Sequence, residues 1–288
     1  MFMGLKRTNA LLAKPVFRGA SVPLTAGFTL VEVLVVAAVI GLLAALLLPA
    51  LSRVRQKTEA TYCMNNSRQL ALAWLMYADD HHGVLVANRY GNEVRGGANP
   101  DNWVSGWMDW GRGSDNTNTA FLTDPAYAKL AYYASPSPAL YKCPADRFQS
   151  TLNPGPRVRS LAMNAALGDG NKTGMGGWSP PFFFARKLNE LTRPAPTRTW
   201  LFVDEHPDSI NDGCFFLNPH ATGQEARWKD LPASYHNGAA GFAFADGHAE
   251  IKHWSEAATR RPVTIGDFAG LACPGSPDYA WMAEQTPR

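Results

Sequence analysis

Apolar residues are spread unevenly along the chain, and their spacing predicts different elements in different stretches. From Phe28 to Leu48 runs FTLVEVLVVAAVIGLLAALLL, 21 residues whose single charge is Glu32. About 20 apolar residues cross the roughly 30 Å hydrocarbon layer as a helix, so this run predicts a single membrane span. A cleaved secretory signal carries a shorter apolar region, about 7 to 15 residues. From Ala50 to about Tyr77 there is no glycine and no further proline, and Leu70, Ala73, Trp74 and Tyr77 recur at i, i+3, i+4 and i+7. That stripe predicts an amphipathic helix that ends near His82-Gly83 and gives Trp74 and Tyr77 to a core.

Beyond Gly83 the texture turns to Gly, Asn and Asp punctuated by Trp103, Trp107 and Trp110. These rings read as the anchors of a loop, with a carbohydrate-stacking platform as the alternative. Asp124 and Pro125 predict the N-cap and first turn of a short helix reaching Ala134. Residues 159–164 and 199–205 read as strands, separated by the Gly-rich loop GDGNKTGMGG. Between Gly238 and Trp254, Asp246-Gly247 predicts a two-residue hairpin turn that sets Ala245 opposite His248, Ala243 opposite Glu250 and Ala239 opposite Trp254.

Composition narrows the class. Charged residues are 18% and hydrophobic ones 46%, which excludes a disordered or coiled-coil chain. The formal charge of +3 comes from the first 27 residues, which hold Lys6, Arg7, Lys14 and Arg18 and no acid. Taking these four from 27 basic residues leaves 23 against 24 acidic ones, a formal −1, so nucleic acid is not an expected partner. Arg53, Arg55 and Lys57 follow the span, so the positive-inside count barely orients it. Glu32 stands out, because a carboxylate deep in a span costs on the order of 2.5–3.5 kcal/mol and calls for a partner.

Gly27-Phe28-Thr29-Leu30-Val31-Glu32, with the basic leader before it and the apolar run after it, resembles the cleavage and methylation signature of type IV pilins and type II secretion pseudopilins. The resemblance implies a prepilin peptidase that cuts between Gly27 and Phe28 and methylates the new Phe28 amine. Glu32 then becomes the fifth residue of the mature chain and pairs with the Phe28 amine of a neighbouring subunit. Pro49 falls where that family often bends its helix. The implied organisation is a leader over 1–27, a span over 28–48, a periplasmic stalk helix over 49–82 and a headgroup over 83–288. The implied fold is α+β, a long N-terminal helix packed on an antiparallel sheet.

A second resemblance lies downstream. His236, nine residues, then Asp246-Gly247 is similar to the H-X9-DG domain of some pilin-like proteins. Cys63-Met64-Asn65-Asn66, Lys142-Cys143-Pro144-Ala145-Asp146 and Asp204-Glu205 fit the same pattern. Four cysteines, Cys63, Cys143, Cys214 and Cys273, allow three pairings. The resemblance embeds Cys63 and Cys143 in its patterns and makes them the expected disulfide in an oxidising compartment.

The histidines and acids near the C-terminal half, among them His206, His248 and His253, do not form a recognisable catalytic motif. A straight strand would hold His236 and Asp246 roughly 30 Å apart, ten steps of about 3.3 Å, so one site containing both is not expected. The pseudopilin resemblance implies a calcium site as an option, with Asp169 and Asn171 as its candidates, although Asp-Gly-Asn is also ordinary turn chemistry. No catalytic residue and no other cofactor is expected. The implied function is a structural subunit of a type IV pilus or type II secretion pseudopilus. Its expected partners are the prepilin peptidase, other subunits and an inner-membrane assembly platform. It would begin as a single-pass inner-membrane protein with a periplasmic headgroup. The alternatives are a membrane-anchored periplasmic binding module, with glycans as candidate ligands, and a secreted hydrolase.

Overall fold

The structure is a computed structural model that describes residues 27, 29–169 and 183–288. Phe28 and Asn171 lie outside the described residues. The chain divides into two units, residues 1–50 and 51–288, and α1 (Leu30–Asp80) runs across the division.

In the first unit, α1 begins with a reciprocal cap. Thr29 N and Oγ1 both donate to Glu32 Oε2 at 2.8 Å, and Glu32 N donates to Thr29 Oγ1 at 3.3 Å. Thr-x-x-Glu is the capping box, which satisfies donors that the first helical turn leaves free. The apolar side chains that follow, Leu30 to Leu48, are exposed. Among the described residues α1 is the helix long and apolar enough to cross a membrane.

In the second unit, α1 buries the predicted stripe: Leu70, Ala73, Trp74 and Tyr77 are all in the core. The stripe extends back one further turn pair, through Ser67 and Asn66 to Cys63. The helix stops where expected. His82 and Gly83 take positive φ values of 55° and 79°, and Gly83 N donates back to Ala78 O at 2.7 Å, which closes the last turn.

A five-stranded sheet forms the centre, in the order β3-β1-β2-β5-β6. Its strands are β1 (Leu161–Asn164), β2 (Trp200–Asp204), β3 (Cys214–Phe215), β5 (Ala239–Phe244) and β6 (Ala249–His253). A separate two-stranded sheet pairs β4 (Arg227–Trp228) with β7 (Leu271–Ala272). The expected all-antiparallel sheet is corrected here: β1 and β3 run parallel. The chain leaves β2, which is antiparallel to β1, reverses over residues 205–213, and so returns along the far edge of β1 in the direction of β1 itself.

Both faces of the sheet are covered. Leu70, Trp74 and Tyr77 of α1 share one core with Leu161, Met163, Leu201, Phe202 and Ala243. On the other face Ala162, Trp200, Val203, Phe242 and Phe244 pack with Trp228, Trp254 and α3 (Pro277–Glu284). An irregularity between Trp200 and Phe202 lets Leu201 and Phe202 both join the α1 side. Along β5 the residues alternate in size: the phenylalanines at 242 and 244 pack away from α1, while Ala243 and Ala245 pack on its side.

Two local expectations hold only in part. The expected α-helix from Asp124 to Ala134 is not continuous: α2 (Ala120–Thr123) ends before it with Asp124 as its extended C-cap, and a 3-10 turn follows over Lys129–Tyr132. Between them Asp124 caps a single turn, its Oδ1 accepting from Ala126 N at 2.8 Å and its O from Ala128 N at 3.0 Å. The β5–β6 hairpin forms, but one residue out of the expected register, with Ala243 opposite Ala249 and Ala239 opposite His253. Phe244 N bonds His248 O and Gly247 N bonds Phe244 O, both at 2.9 Å, so the loop holds three residues, 245–247. Gly247 at φ 91° supplies the left-handed residue that such a loop needs.

Candidate functional site

Four buried side chains from four separate segments meet under α1. The carboxylate of Asp204, the thiols of Cys63 and Cys143 and the imidazole of His236 offer atoms that all lie within 4.8 Å of one another. Cys63, Cys143 and Asp204 come one from each of the three sequence patterns that accompany the H-X9-DG resemblance, and His236 from that motif itself.

Local chemistry explains each placement. Cys63 continues the buried stripe of α1, seven residues before Leu70. Cys143 follows a 3-10 turn, Pro138–Tyr141, and its N–H donates to Ser160 Oγ at 2.7 Å. Asp204 is the last residue of β2, a strand fully buried on both faces. His236 precedes Asn237 and Gly238, whose positive φ values of 55° and 81° turn the chain into β5. Its N–H donates to Ala239 O at 3.1 Å.

Within the cluster, Cys63 Sγ donates to Asp204, at 2.9 Å from Oδ2 and 3.2 Å from Oδ1. His236 Nε2 lies 3.4 Å from Cys143 Sγ and 3.5 Å from Asp204 Oδ2. Gly241 N, on β5, donates to Asp204 Oδ2 at 3.0 Å. Burial opposes charge on His236, but its contacts with Asp204 and Cys143 outweigh that and lift it to about 10. The adjacent Cys143 thiol, burial and the negative Asp204 push Cys63 well up. Burial also works against a Cys143 thiolate, yet the adjacent Cys63 thiol and His236 bring it below the ordinary thiol value.

The disulfide expected between Cys63 and Cys143 is not formed; all four cysteines are buried free thiols. Nor do these residues compose a nucleophile–base–acid relay. In such a relay the carboxylate holds one imidazole nitrogen while the nucleophile uses the other. Here both Cys143 and Asp204 address Nε2, and His236 Nδ1 has no partner among the described residues.

The other candidates are dispersed. Asp246 serves the hairpin, with its Oδ1 accepting from His248 N at 3.1 Å and lying 2.6 Å from His248 Nδ1; it is no part of the His236 cluster. His206 Nδ1 accepts from Asp208 N, and Glu205 Oε1 accepts from Ser209 Oγ. Asp169 of the calcium pair faces Arg186 at 3.7 Å. Trp103 is fully buried, with Nε1 donating to Asn88 Oδ1 and Gly213 O at 3.1 Å. Arg95 covers the ring of Trp107 and Arg157 that of Trp110, at 4.0 and 3.8 Å from the centroids. The tryptophans act as anchors rather than as three open faces.

At the other end of the chain, Gly27 is exposed, and a β-carbon built there would meet nothing within 4 Å among the described residues. Glu32 is exposed and is held by Thr29. In the sequence Asp204 is marked only by its place in the Asp204-Glu205 pattern. The signal that could have placed it is the run of small residues at alternate β5 positions, Ala239, Gly241, Ala243 and Ala245, which opens room beside β2. Comparison with protein-family models, with curated proteins and with solved structures finds no match for this chain.

Proposed function

We propose that the chain is a type IV pilin-like or type II secretion pseudopilin subunit, processed by a prepilin peptidase and assembled into a filament. One observation carries the reading: Gly27 stands directly before a 21-residue apolar run whose fifth residue is the acid Glu32. Among the described residues nothing lies within 4 Å of a β-carbon built at Gly27, so their packing makes no demand for glycine there. A peptidase that needs close approach to the backbone supplies the demand instead. Exposed apolar side chains from Leu30 to Leu48 suit a helix that is covered first by lipid and then by neighbouring helices. Glu32 is then the register device, set against the Phe28 amine of the next subunit, where pairing offsets the cost of a buried charge.

Mass spectrometry of the mature N-terminus tests the reading. N-methyl-Phe28 is expected; retention of residues 1–27 would instead favour an anchored protein, and a cut beyond the apolar run a secreted one. Gly27→Ala is expected to be cut partly and Gly27→Leu not at all. Normal processing of Gly27→Leu would remove the peptidase from the proposal.

A further inference from the structure

We infer that Cys63, Cys143, Asp204 and His236 bind one divalent cation of the zinc class in a four-coordinate structural site, an inference that rests on the globular unit and not on filament assembly. The donor set is two sulfurs, one imidazole nitrogen and one carboxylate oxygen, all within 4.8 Å of one another. Bonds of about 2.3 Å to sulfur and about 2.0–2.1 Å to nitrogen and oxygen give a tetrahedron with edges of roughly 3.3–3.8 Å. Two observed edges already match it: Cys143 Sγ to His236 Nε2 at 3.4 Å and His236 Nε2 to Asp204 Oδ2 at 3.5 Å. The Cys63 to Asp204 edge, at 2.9–3.2 Å, needs to open by only a few tenths of an ångström. Thiolate and imidazole ligands in tetrahedral geometry select zinc over the hard cations calcium and magnesium.

The hydrogen bonding of the cluster points the same way. Its donor atoms address one another, and Gly241 N is the outside donor to the carboxylate. A Cys63–Cys143 disulfide would remove both S–H groups and leave buried Asp204 without the Cys63 donor. A cation would take one atom from each of the four side chains at once, and its binding would release to solvent the protons held by the two thiols and by the His236 imidazolium. A groove of about 380 Å³, lined by Gln56, Lys57, Ala60, Met64, Ile251 and His253, has His236 in its wall, so the cluster adjoins the surface at that residue. The four ligands span residues 63 to 236, so the cation would tie α1, the loop after Pro138–Tyr141, β2 and the entry to β5 into one unit.

The test uses the full chain in detergent, reduced and stripped with a chelator, then titrated with zinc alone and with cobalt(II) alone. One zinc per chain is expected. The cobalt form should show sulfur-to-cobalt charge transfer in the near ultraviolet and tetrahedral ligand-field bands in the visible. Loss of an outer-sphere partner costs about 10–100-fold in affinity, so His236→Ala and Asp204→Asn should lose at least about tenfold. Cys273→Ser, outside the cluster, should bind as the parent does. The cobalt spectrum of the unmodified chain decides the matter even if a variant fails to fold. A cobalt form without the sulfur band, equal zinc affinity in every variant, or an as-isolated protein with a Cys63–Cys143 disulfide and no zinc would each overturn the inference.

Discussion

Asp204 and Gly241 face each other across the β2–β5 pairing, and a β-carbon on Gly241 would sit 2.9 Å from Asp204 Oδ2 and 3.2 Å from Cys63 Sγ. The glycine is there because the carboxylate and the thiol occupy the space a side chain would take. Its φ is not in the left-handed region, so alanine meets only a steric objection. Gly241→Ala should therefore cost about 1–3 kcal/mol, the range for overfilling a packed interior. Urea unfolding measures it, and an unchanged midpoint would mean that the cluster yields freely.

Gly247 is needed for the opposite reason. A β-carbon there finds ordinary space, its nearest neighbour being Leu75 Cδ1 at 3.4 Å, but φ is 91°. Gly247→Ala should cost about 1–2 kcal/mol through the backbone alone. Gly247→Asn should cost less, and Gly247→Val more, because a β-branched residue resists positive φ most. Equal losses for all three would show that contacts and not conformation govern this turn.

Two buried acids should give stability opposite slopes with pH. Burial raises the carboxyl of Asp278, but donors on Ser255, Glu256 and Thr259 outweigh it and hold it below the usual value. Its contribution is present above the unfolded value of about 3.9 and is lost as pH falls through the lower folded value. Asp278→Asn should be less stable than the parent at neutral pH, with the gap closing in acid. Asp230 is the reverse case, raised to about 8 by burial and by neighbouring Asp212, against the Phe216 N–H bond that lowers it. Its contribution is complete below about pH 3.9 and disappears as pH rises through about 8. Asp230→Asn should therefore lose stability more slowly than the parent between those limits in denaturant titrations at stepped pH. Parallel curves would mean that Asp230 is ionised throughout.

Assembly and helix capping can be separated at Glu32. Glu32→Gln keeps a side chain able to close the capping box but removes the charge. Thr29→Ala removes the cap, at about 1 kcal/mol, and leaves the carboxylate. On the filament reading, Glu32→Gln should reduce the sheared-filament fraction strongly and Thr29→Ala only slightly, with the protease resistance of the globular unit unchanged in both. Assembly of Glu32→Gln at the parental level would reject the pairing with Phe28.

What the residues settle without help is whatever depends on short-range periodicity. The apolar run after Gly27, the Leu70–Tyr77 stripe with its stop at His82-Gly83, the two central strands and the existence of the β5–β6 hairpin all follow from spacings of a few residues. Even the size alternation of β5 is visible in the order Ala-Ala-Gly-Phe-Ala-Phe-Ala. Such signals are legible because helix and strand periods depend on neighbours three, four or two positions away.

The tertiary structure decides the rest. The hairpin register slips by one residue because Gly247, and not the dipeptide Asp246-Gly247, closes the loop. The parallel β1–β3 pair depends on which edge the chain reaches after β2. The Cys63–Cys143–Asp204–His236 cluster depends on both strand order and the approach of α1; Cys63 and Asp204 are 141 positions apart. No local rule links residues at that separation. They meet because Gly241 leaves a gap beside β2 that the stripe of α1 can close, and only the folded packing makes that gap a site.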